Sequence, residues 1–197
     1  RCIQDLLRQI KKHKYLTDRI VVVDDYSTDQ TTRAILQEWD HNGDIDLYFR
    51  KLDGDFAAQK NYLISKCPSD TDWIINVDAD ELLSEDLIKN IRTILLENDN
   101  IEAYWVPREN YVTGITKEHI DAWRWELDFK NRINYPDYQM RIFKYAPDRI
   151  KWVNKVHEKL TGYKTYTALP TDTSLYIEHI KDIKKQEQQN SFYNTLG

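Results

Sequence analysis

The run WIINVDADE at residues 73–81 joins a strand pattern to acidic side chains. Four of its first five residues are apolar, which predicts a buried strand that ends at the acidic residues. Asp78 and Asp80 are one residue apart, so the alternation of a strand directs both carboxylates to the same side. Like charges this close repel unless a cation lies between them, and Mg²⁺ and Mn²⁺ prefer oxygen ligands. The run therefore predicts a metal–diphosphate site at a sheet edge, although a strand followed by an acidic helix start has the same pattern.

Helical and strand patterns alternate around this run. Strands are predicted at 19–23, 45–50, 73–77 and 101–107, and helices over about 2–14, 28–39, 56–67 and 84–97. This order indicates an α/β fold with a mostly parallel central sheet and helices on both faces. Ligands of such sheets bind beyond the carboxyl ends of the strands, where Asp24, Asp25, Asp78 and Asp80 lie.

The second half of the chain is aromatic and less regular. Strands are predicted at 138–145, 156–160 and 174–177, and a polar helix at 181–194. We interpret residues 1–197 as a single domain with a nucleotide-sugar-binding half over 1–100 and an acceptor-binding half over 101–197. Trp123, Trp125 and Trp152 are candidates for stacking on sugar rings, with buried packing as the alternative.

Composition narrows the function classes. The chain has 197 residues, 41% hydrophobic and 31% charged, which is typical of a soluble globular domain. Its net charge is −5 and it has no long basic run, so nucleic acid is not expected as a partner. No apolar run approaches the ~20 residues of a membrane span. The only cysteines, Cys2 and Cys67, suggest neither a disulfide framework nor a zinc site, so we expect a reducing, cytoplasmic location.

Several nucleotide-binding and hydrolase motifs are missing. The five glycines form no G-x-G-x-x-G, no P-loop and no G-x-S-x-G elbow. A bound nucleotide would therefore be held by a metal and by side chains. The chain also starts at Arg1 in a helical pattern rather than with a strand, which indicates a module of a longer protein.

Five segments together resemble family 2 glycosyltransferases. VVVDDYSTD at 21–29 resembles their VVVDDGSTD signature, with Tyr26 where glycine is usual, and Asp78-Ala79-Asp80 resembles their metal-binding D-x-D. GDFAAQKN at 54–61 resembles their G-x-x-x-A-x-(R/K)-N helix start. YQMRIFK at 138–144 and VHE at 156–158 resemble motifs of a bacterial subgroup that decorates lipopolysaccharide and other glycans. The resemblance covers about residues 1–160 and lacks the family's opening strand.

The resemblance implies a GT-A fold and an inverting transfer from a UDP-sugar to a saccharide hydroxyl, with Mn²⁺ or Mg²⁺ as cofactor. Asp24 or Asp25 would accept a hydrogen bond from uracil, and Lys60 would lie near the base or the diphosphate. Asp80 would bind the metal, and Asp78 would contact the ribose or the metal.

Inverting transfer also needs a general base and stabilisation of the leaving diphosphate. Glu158 is the first candidate base, because it occupies the place of the family's acid, and Asp137 is the second. Arg141 and His157 are candidates for contacting the diphosphate. His179, at a predicted strand end, is a candidate further metal ligand. Each also has an ordinary structural interpretation, such as a surface carboxylate for Glu158 and a turn residue for Asp137.

Two alternatives remain from the sequence. A metal-dependent phosphatase of the haloacid-dehalogenase type also has D-x-D after a strand. There the motif usually follows the first strand of the chain, and Thr or Val stands two residues after the second Asp, where this chain has Leu82. A catalytically inactive module of the glycosyltransferase type would bind a nucleotide or glycan without transferring a sugar.

Overall fold

The computed structural model describes residues 3–196, with side chains described through Ser191. Cys2, part of the predicted first helix, lies outside the described residues. The chain divides into two compact units. The first unit contains the residues up to Ile75 together with Phe143–Lys164, and the second contains Asn76–Ile142 and the residues from Thr165 onward. The division into a nucleotide half and an acceptor half concerns function and stays a prediction.

Helices and strands follow one another along the chain in this order. The elements up to the middle are α1 (Ile3–His13), β1 (Val21–Asp24), α2 (Gln30–His41), β2 (Asp46–Phe49), α3 (Phe56–Ile64), β3 (Trp73–Ile75), β4 (Glu81–Leu83), α4 (Glu85–Glu97) and β5 (Ala103–Thr113). The remaining elements are α5 (Lys117–Trp123), β6 (Asp137–Lys144), β7 (Lys151–Val153), β8 (Lys159–Thr161), β9 (Tyr166–Ala168), β10 (Ile177–Asp182) and α6 (Ile183–Leu196).

In the first unit, β1 and β2 form a parallel pair. Leu7 of α1 and Leu36 and Trp39 of α2 pack with Ile20 and Ile45, the residues that precede the two strands, in one buried cluster. This cluster includes the residues that precede both strands, and Asp24, the last residue of β1, lies at the carboxyl end of the pair.

In the second unit, the strands lie in the order β6, β5, β10 and β4, with β9 also paired to β5. β10 is parallel to β5 and antiparallel to β4, so this sheet is mixed. The register places His179 of β10 beside Asn110 of β5 and Glu81 of β4. Three polar side chains thus meet on neighbouring strands.

The α/β architecture agrees with the sequence prediction. The last strand, β10, spans Ile177–Asp182 rather than the predicted 174–177, so His179 lies within a strand and not at its end. Four elements were not predicted. They are β4, α5, β7 and β9. β4 lies directly after the acidic run, where the pattern suggested only a loop before a helix. Its first residue, Glu81, is charged yet buried, and such a residue does not produce a strand pattern in the sequence. Among the described residues, no helix is both long and apolar enough to cross a bilayer.

Candidate active site

A buried glutamate organises the acidic run in the second unit. Glu81 is only 1% exposed. Its Oε1 accepts hydrogen bonds from Arg108 at 2.9 Å and from Arg141 at 2.7 Å, and its Oε2 accepts one from the backbone N–H of Asp78 at 3.0 Å. Two guanidinium groups thus balance a charge that would be costly to bury alone. The last of these bonds also orders the loop that carries Asp78 and Asp80.

Arg141 is already engaged within this acidic group. Its Nη2 contacts both Asp78 Oδ2, at 2.5 Å, and Glu81 Oε1, and its side chain is almost completely buried. Burial alone would lower the pKa of Arg141, but the two carboxylates outweigh it and the pKa is raised. A guanidinium held in this way orients Asp78, and its burial disfavours the direct diphosphate contact expected from the sequence.

Asp80 faces His179. Its Oδ2 lies 3.3 Å from His179 Nε2, while 42% of the Asp80 side chain stays exposed. Burial would raise the pKa of Asp80, but the hydrogen bond and charge of His179 outweigh it, and the pKa is lowered. Asp80 is therefore held as a carboxylate that solvent can reach. Among the described residues, no group of three or more His, Cys, Asp or Glu side chains has metal-binding geometry.

The amide of Asn110 determines the tautomer of His179. Its Nδ2 donates to Asp137 Oδ2 at 2.8 Å, so its Oδ1 is the atom that lies 2.9 Å from His179 Nδ1. Because an amide oxygen only accepts hydrogen bonds, Nδ1 carries a proton and donates it. When the ring is neutral, the lone pair belongs to Nε2, and a divalent ion between Nε2 and Asp80 would then take the place of the direct hydrogen bond between the two groups. Metal-binding histidines are oriented in this way by a partner at the other ring nitrogen. An imidazole nitrogen and a carboxylate oxygen that face each other fit a divalent ion such as Mn²⁺.

Asp137 accepts four hydrogen bonds from neighbouring side chains. Its carboxylate accepts two from Arg108, one from Asn110 and one from Gln139, at 2.7 to 3.0 Å. Burial would raise its pKa, but the charge of Arg108 and the hydrogen bonds outweigh it, so the pKa is lowered. These contacts favour a role in holding Arg108 and Asn110 over a role as general base.

Glu158 of the first unit is bound by a lysine. Its Oε1 lies 2.5 Å from Lys60 Nζ, and both side chains are mostly buried. The Lys60 ammonium also lies 4.3 Å from the centre of the Trp152 ring. Asn61, the next residue of α3, donates to the backbone oxygen of Trp152 and accepts from its backbone N–H. α3 and β7 therefore position this pair.

Two further sequence predictions concern the same region. His157 adopts a left-handed backbone, with φ of 54°, directly before Glu158. Trp152 is buried beneath Lys60, which removes it as a platform for sugar rings. The motif residues Lys60 and Glu158, far apart in sequence, are thus brought together.

The loop after β1 borders a cavity in the first unit. Asp24 accepts hydrogen bonds from the backbone and the hydroxyl of Ser27, and the exposed Asp25 accepts one from the backbone of Leu52. Tyr26 has φ of 54°, the left-handed conformation that favours glycine, and glycine is the usual residue at this position of the VVVDDGSTD signature. The cavity, of about 320 Å³, is lined by residues that include Asp24, Tyr26 and Phe49.

Two exposed aromatic rings line this cavity. Tyr26 and Phe49 are 55% and 47% exposed, and their ring centres are 5.6 Å apart. The volume lies near the lower end of the range of small-molecule sites, about 300–1,000 Å³. Flat aromatic faces, a carboxylate and the hydroxyls of Ser27 and Thr28 suit a planar ligand with polar edges.

Residues 1–153 match the family described as Glycosyl transferase family 2. The chain belongs to this family. The expectation of a family 2 glycosyltransferase is thereby confirmed, and the phosphatase alternative is set aside.

Known proteins similar to this family 2 domain are glycosyltransferases by name. It is 28% identical over 181 residues to "Lipopolysaccharide core biosynthesis glycosyltransferase LpsC" of Rhizobium meliloti, an alignment that covers 90% of this chain and 60% of the relative. It is 29% identical over 208 residues to an uncharacterized glycosyltransferase of Rickettsia typhi, with 94% and 66% covered. The chain thus spans less than two thirds of either relative.

The crystal structure of S. aureus TarS 1-349 has a similar fold. Its TM-score is 0.56 at 17% identity, and the match covers 91% of this family 2 domain and 57% of TarS 1-349. At this identity the similarity concerns the fold alone. Together with the family match, it confirms the predicted α/β fold of the GT-A type.

The structure brings most sequence-predicted residues of the family 2 domain into local groups. In the second unit, Asp78, Asp80, Asp137, Arg141 and His179 belong to one network of ion pairs and hydrogen bonds. In the first unit, Lys60 contacts Glu158, whereas Asp24 and Asp25 belong to a separate loop.

Sequence reasoning missed three residues of the second-unit network. They are Glu81, Arg108 and Asn110. The alternation along β5 is the signal that could have found two of them, because Arg108 and Asn110 are two residues apart and lie on the same side of the strand. Glu81 was visible as a third acid in the run, but its burial was not.

Proposed function

We propose that this domain catalyses metal-dependent, inverting transfer of a sugar from a UDP-sugar to a hydroxyl of a saccharide acceptor. The observation that carries the proposal is the Asp80–His179 pair, because Asn110 directs the Nε2 of His179 toward an ionised, accessible carboxylate in a family 2 domain. Asp80 and His179 would hold the metal, with Asp78 oriented beside them by Arg141. The bound ion would neutralise charge on the leaving diphosphate.

The cavity beside β1 supports a nucleotide donor. A uracil ring would stack against Tyr26 and Phe49, and its N–H would donate to Asp24 or Asp25. Asp24 accepts from the backbone and the hydroxyl of Ser27 in its own loop, and Asp25 accepts from the backbone of Leu52 in the loop after β2, so both loops are ordered before the ligand binds. Such preorganisation lowers the entropic cost of binding.

Glu158 is the base in this proposal. It would take the proton of the acceptor hydroxyl as the oxygen attacks the anomeric carbon of the donor. Lys60 holds the carboxylate in one orientation, and the proton transfer would weaken this ion pair. Asp137 is the weaker candidate, because four hydrogen bonds stabilise its charged form.

The acceptor in this proposal is a glycan. The name of the Rhizobium meliloti relative refers to lipopolysaccharide core biosynthesis, and we extend a glycan acceptor of that general kind to this domain. Relatives of this kind are longer than the chain, so the experiment uses the longest available form of the protein.

Calorimetric titration of UDP tests the donor and metal assignments. We expect binding with Mn²⁺, loss of binding in EDTA, and weaker binding of GDP. An Asp80→Asn variant should lose the metal-dependent part of the affinity, whereas Asp99→Asn, in the loop after α4, should keep it. Equal UDP affinity with and without Mn²⁺ would refute the metal assignment.

The Lys60–Glu158 contact also favours a second candidate function. An ion-paired glutamate is a stable structural feature, as in a module that binds a nucleotide without transferring sugar. Metal-dependent UDP binding without transfer or donor hydrolysis, across donors and acceptors, would identify such a module.

A further inference from the structure

The connection between β5 and β6 carries an exposed aromatic surface in the second unit. It contains α5 and the following loop. Phe129 is 89% exposed, Leu127 is 37% exposed, and Trp123 and Trp125 are both half-buried. Several large apolar side chains that are exposed next to one another often mark a binding site, whereas single ones do not.

Trp123 and Trp125 are held as a pair by the backbone. Arg124 between them has φ of 54°, a left-handed residue that ends α5. The N–H of Trp125 donates to the carbonyl of Ile120 at 3.0 Å, which closes the turn. The two ring centres lie 4.7 Å apart with the planes inclined by 57°. Together they form one bent, partly exposed aromatic surface, which we call the tryptophan pair.

The loop that follows the pair is held against β5 by an ion pair and a backbone hydrogen bond. Arg132 is buried and contacts Glu109 at 2.7 Å and Asp128 at 2.6 Å. The backbone N–H of Ile133 donates to the carbonyl of Asn110 at 2.9 Å. Asn110 is the residue whose side chain orients His179. The same stretch of β5 therefore supports both the acidic network and the connection that carries the tryptophan pair.

We propose that the tryptophan pair binds the saccharide acceptor. This inference rests on the proposed function, because it requires a glycan acceptor. A pyranose ring has an apolar C–H face and a rim of hydroxyls, so it can lie on an indole while its hydroxyls stay hydrated. The half-buried position limits the motion of the rings, which reduces the entropy lost on binding.

The charges around the pair favour a neutral sugar over an anionic membrane surface. Peripheral membrane binding by aromatic side chains usually requires an excess of basic residues to attract anionic lipids. Here the exposed charges on this connection are balanced. The basic residues are Lys117, Arg124 and Lys130, and the acidic residues are Glu118, Asp121 and Glu126.

Fluorine NMR of protein labelled with 5-fluorotryptophan tests this inference. The chain has six tryptophans, and the signals of Trp123 and Trp125 are assigned with Trp123→Phe and Trp125→Phe variants. The probes are methyl hexosides, a bacterial lipopolysaccharide core oligosaccharide and phosphatidylglycerol vesicles. We expect saccharides, and not vesicles, to shift these two signals more than the other four.

Acceptor kinetics provide the second measurement. Trp125→Ala should raise the acceptor KM roughly tenfold, which corresponds to the loss of about one ring contact. Trp125→Phe keeps an aromatic ring, so its acceptor KM should stay close to that of the unmodified protein. Phe129→Ala is the matched control, an exposed ring outside the pair, and should change KM little. UDP affinity should be the same in all three variants.

The outcomes separate this inference from the proposed function. If saccharides shift the fluorine signals of Trp123 and Trp125 and UDP still binds, the acceptor inference is supported. Normal UDP binding without any saccharide shift at these signals overturns it and leaves the donor assignment standing. Shifts with vesicles alone overturn it in favour of a membrane contact. If the unmodified protein does not bind UDP, the proposed function itself is refuted.

Discussion

The carboxylates of the two units have very different surroundings. In the second unit, Glu81 and Asp137 each receive several hydrogen bonds, mainly from Arg108 and Arg141. In the first unit, Glu158 is held by the Lys60 ammonium. Each additional charged donor stabilises the anion and makes the carboxylate harder to protonate.

This difference indicates that the carboxylates of the two units have different roles. Carboxylates held by several charged donors are suited to orient cations and loops, because their position is fixed from several sides. Glu158 contacts one charged donor, so fewer contacts have to be broken for it to face an acceptor hydroxyl. This comparison supports the proposal that Glu158 is the base and that the second-unit carboxylates form the electrostatic framework.

Replacing Glu158 tests the base assignment and has the largest expected effect. Glu158→Gln should reduce the rate of transfer by about 10²–10⁴-fold, the usual contribution of a general base, while UDP affinity changes little. Single-turnover transfer assays and UDP titrations measure the two effects. Glu178→Gln in β10 is a control of the same chemistry. Transfer at nearly the normal rate would move the base elsewhere, and Asp137→Asn would be assayed next.

Removing the charge of Glu81 breaks the framework. Glu81→Gln removes a charged partner from the buried guanidinium of Arg141 and from the partly buried one of Arg108, and we expect the free energy of unfolding to fall by about 3–5 kcal/mol. Urea denaturation followed by circular dichroism measures the change. Glu85→Gln, four residues along, removes a solvent-exposed partner of Lys89 and should have little effect. If the two variants were equally stable, Glu81 would not be the centre of the network.

Asn110 links the framework to the proposed metal ligand. Asn110→Ala frees the tautomer and the orientation of His179, so Mn²⁺ binding should weaken about 10–100-fold. Electron paramagnetic resonance of free Mn²⁺ measures the affinity without any assay of activity. Asn90→Ala, on the exposed face of α4, is the control. Unchanged Mn²⁺ affinity in Asn110→Ala would contradict the orienting role.

The smallest expected effect is a change in the pH dependence of stability. The pKa of Asp137 is lowered in the folded protein, so the unfolded chain binds its proton more readily. Its contribution is therefore complete above the unfolded pKa of about 4 and is lost as the pH falls through the folded pKa. The difference in unfolding free energy between wild type and Asp137→Asn should be constant near neutrality and shrink below about pH 4. A difference that grows in acid would reverse the assigned shift.

Local patterns were sufficient to predict most elements of the fold. The strands at β1, β2 and β3 and helices α2 and α4 were predicted because apolar periodicity and capping residues are local signals. For example, Asp29 and Ser84 cap their helices with side-chain hydrogen bonds. β4 escaped prediction because its buried first residue, Glu81, is charged, and β9 because its three residues are all exposed and show no apolar alternation.

The residue types of the site could also be read from the sequence. The motifs identified Asp78, Asp80, Lys60 and Glu158, and the family is confirmed. What the motifs did not contain is the state of each side chain. Arg141 was expected to contact phosphate, yet on β6 it is buried against Glu81 of β4 and Asp78 of the turn before β4.

The sequence by itself determined the α/β class, the family and the set of acidic, basic and aromatic residues available for chemistry. Only the tertiary structure decided which carboxylates are held by several donors and which by one. It also decided that Trp152 is buried while Trp123 and Trp125 form a partly exposed pair. The physical reason is that charge state and exposure depend on neighbours contributed by distant segments. Asn110, Asp137 and His179 meet only once their strands lie side by side.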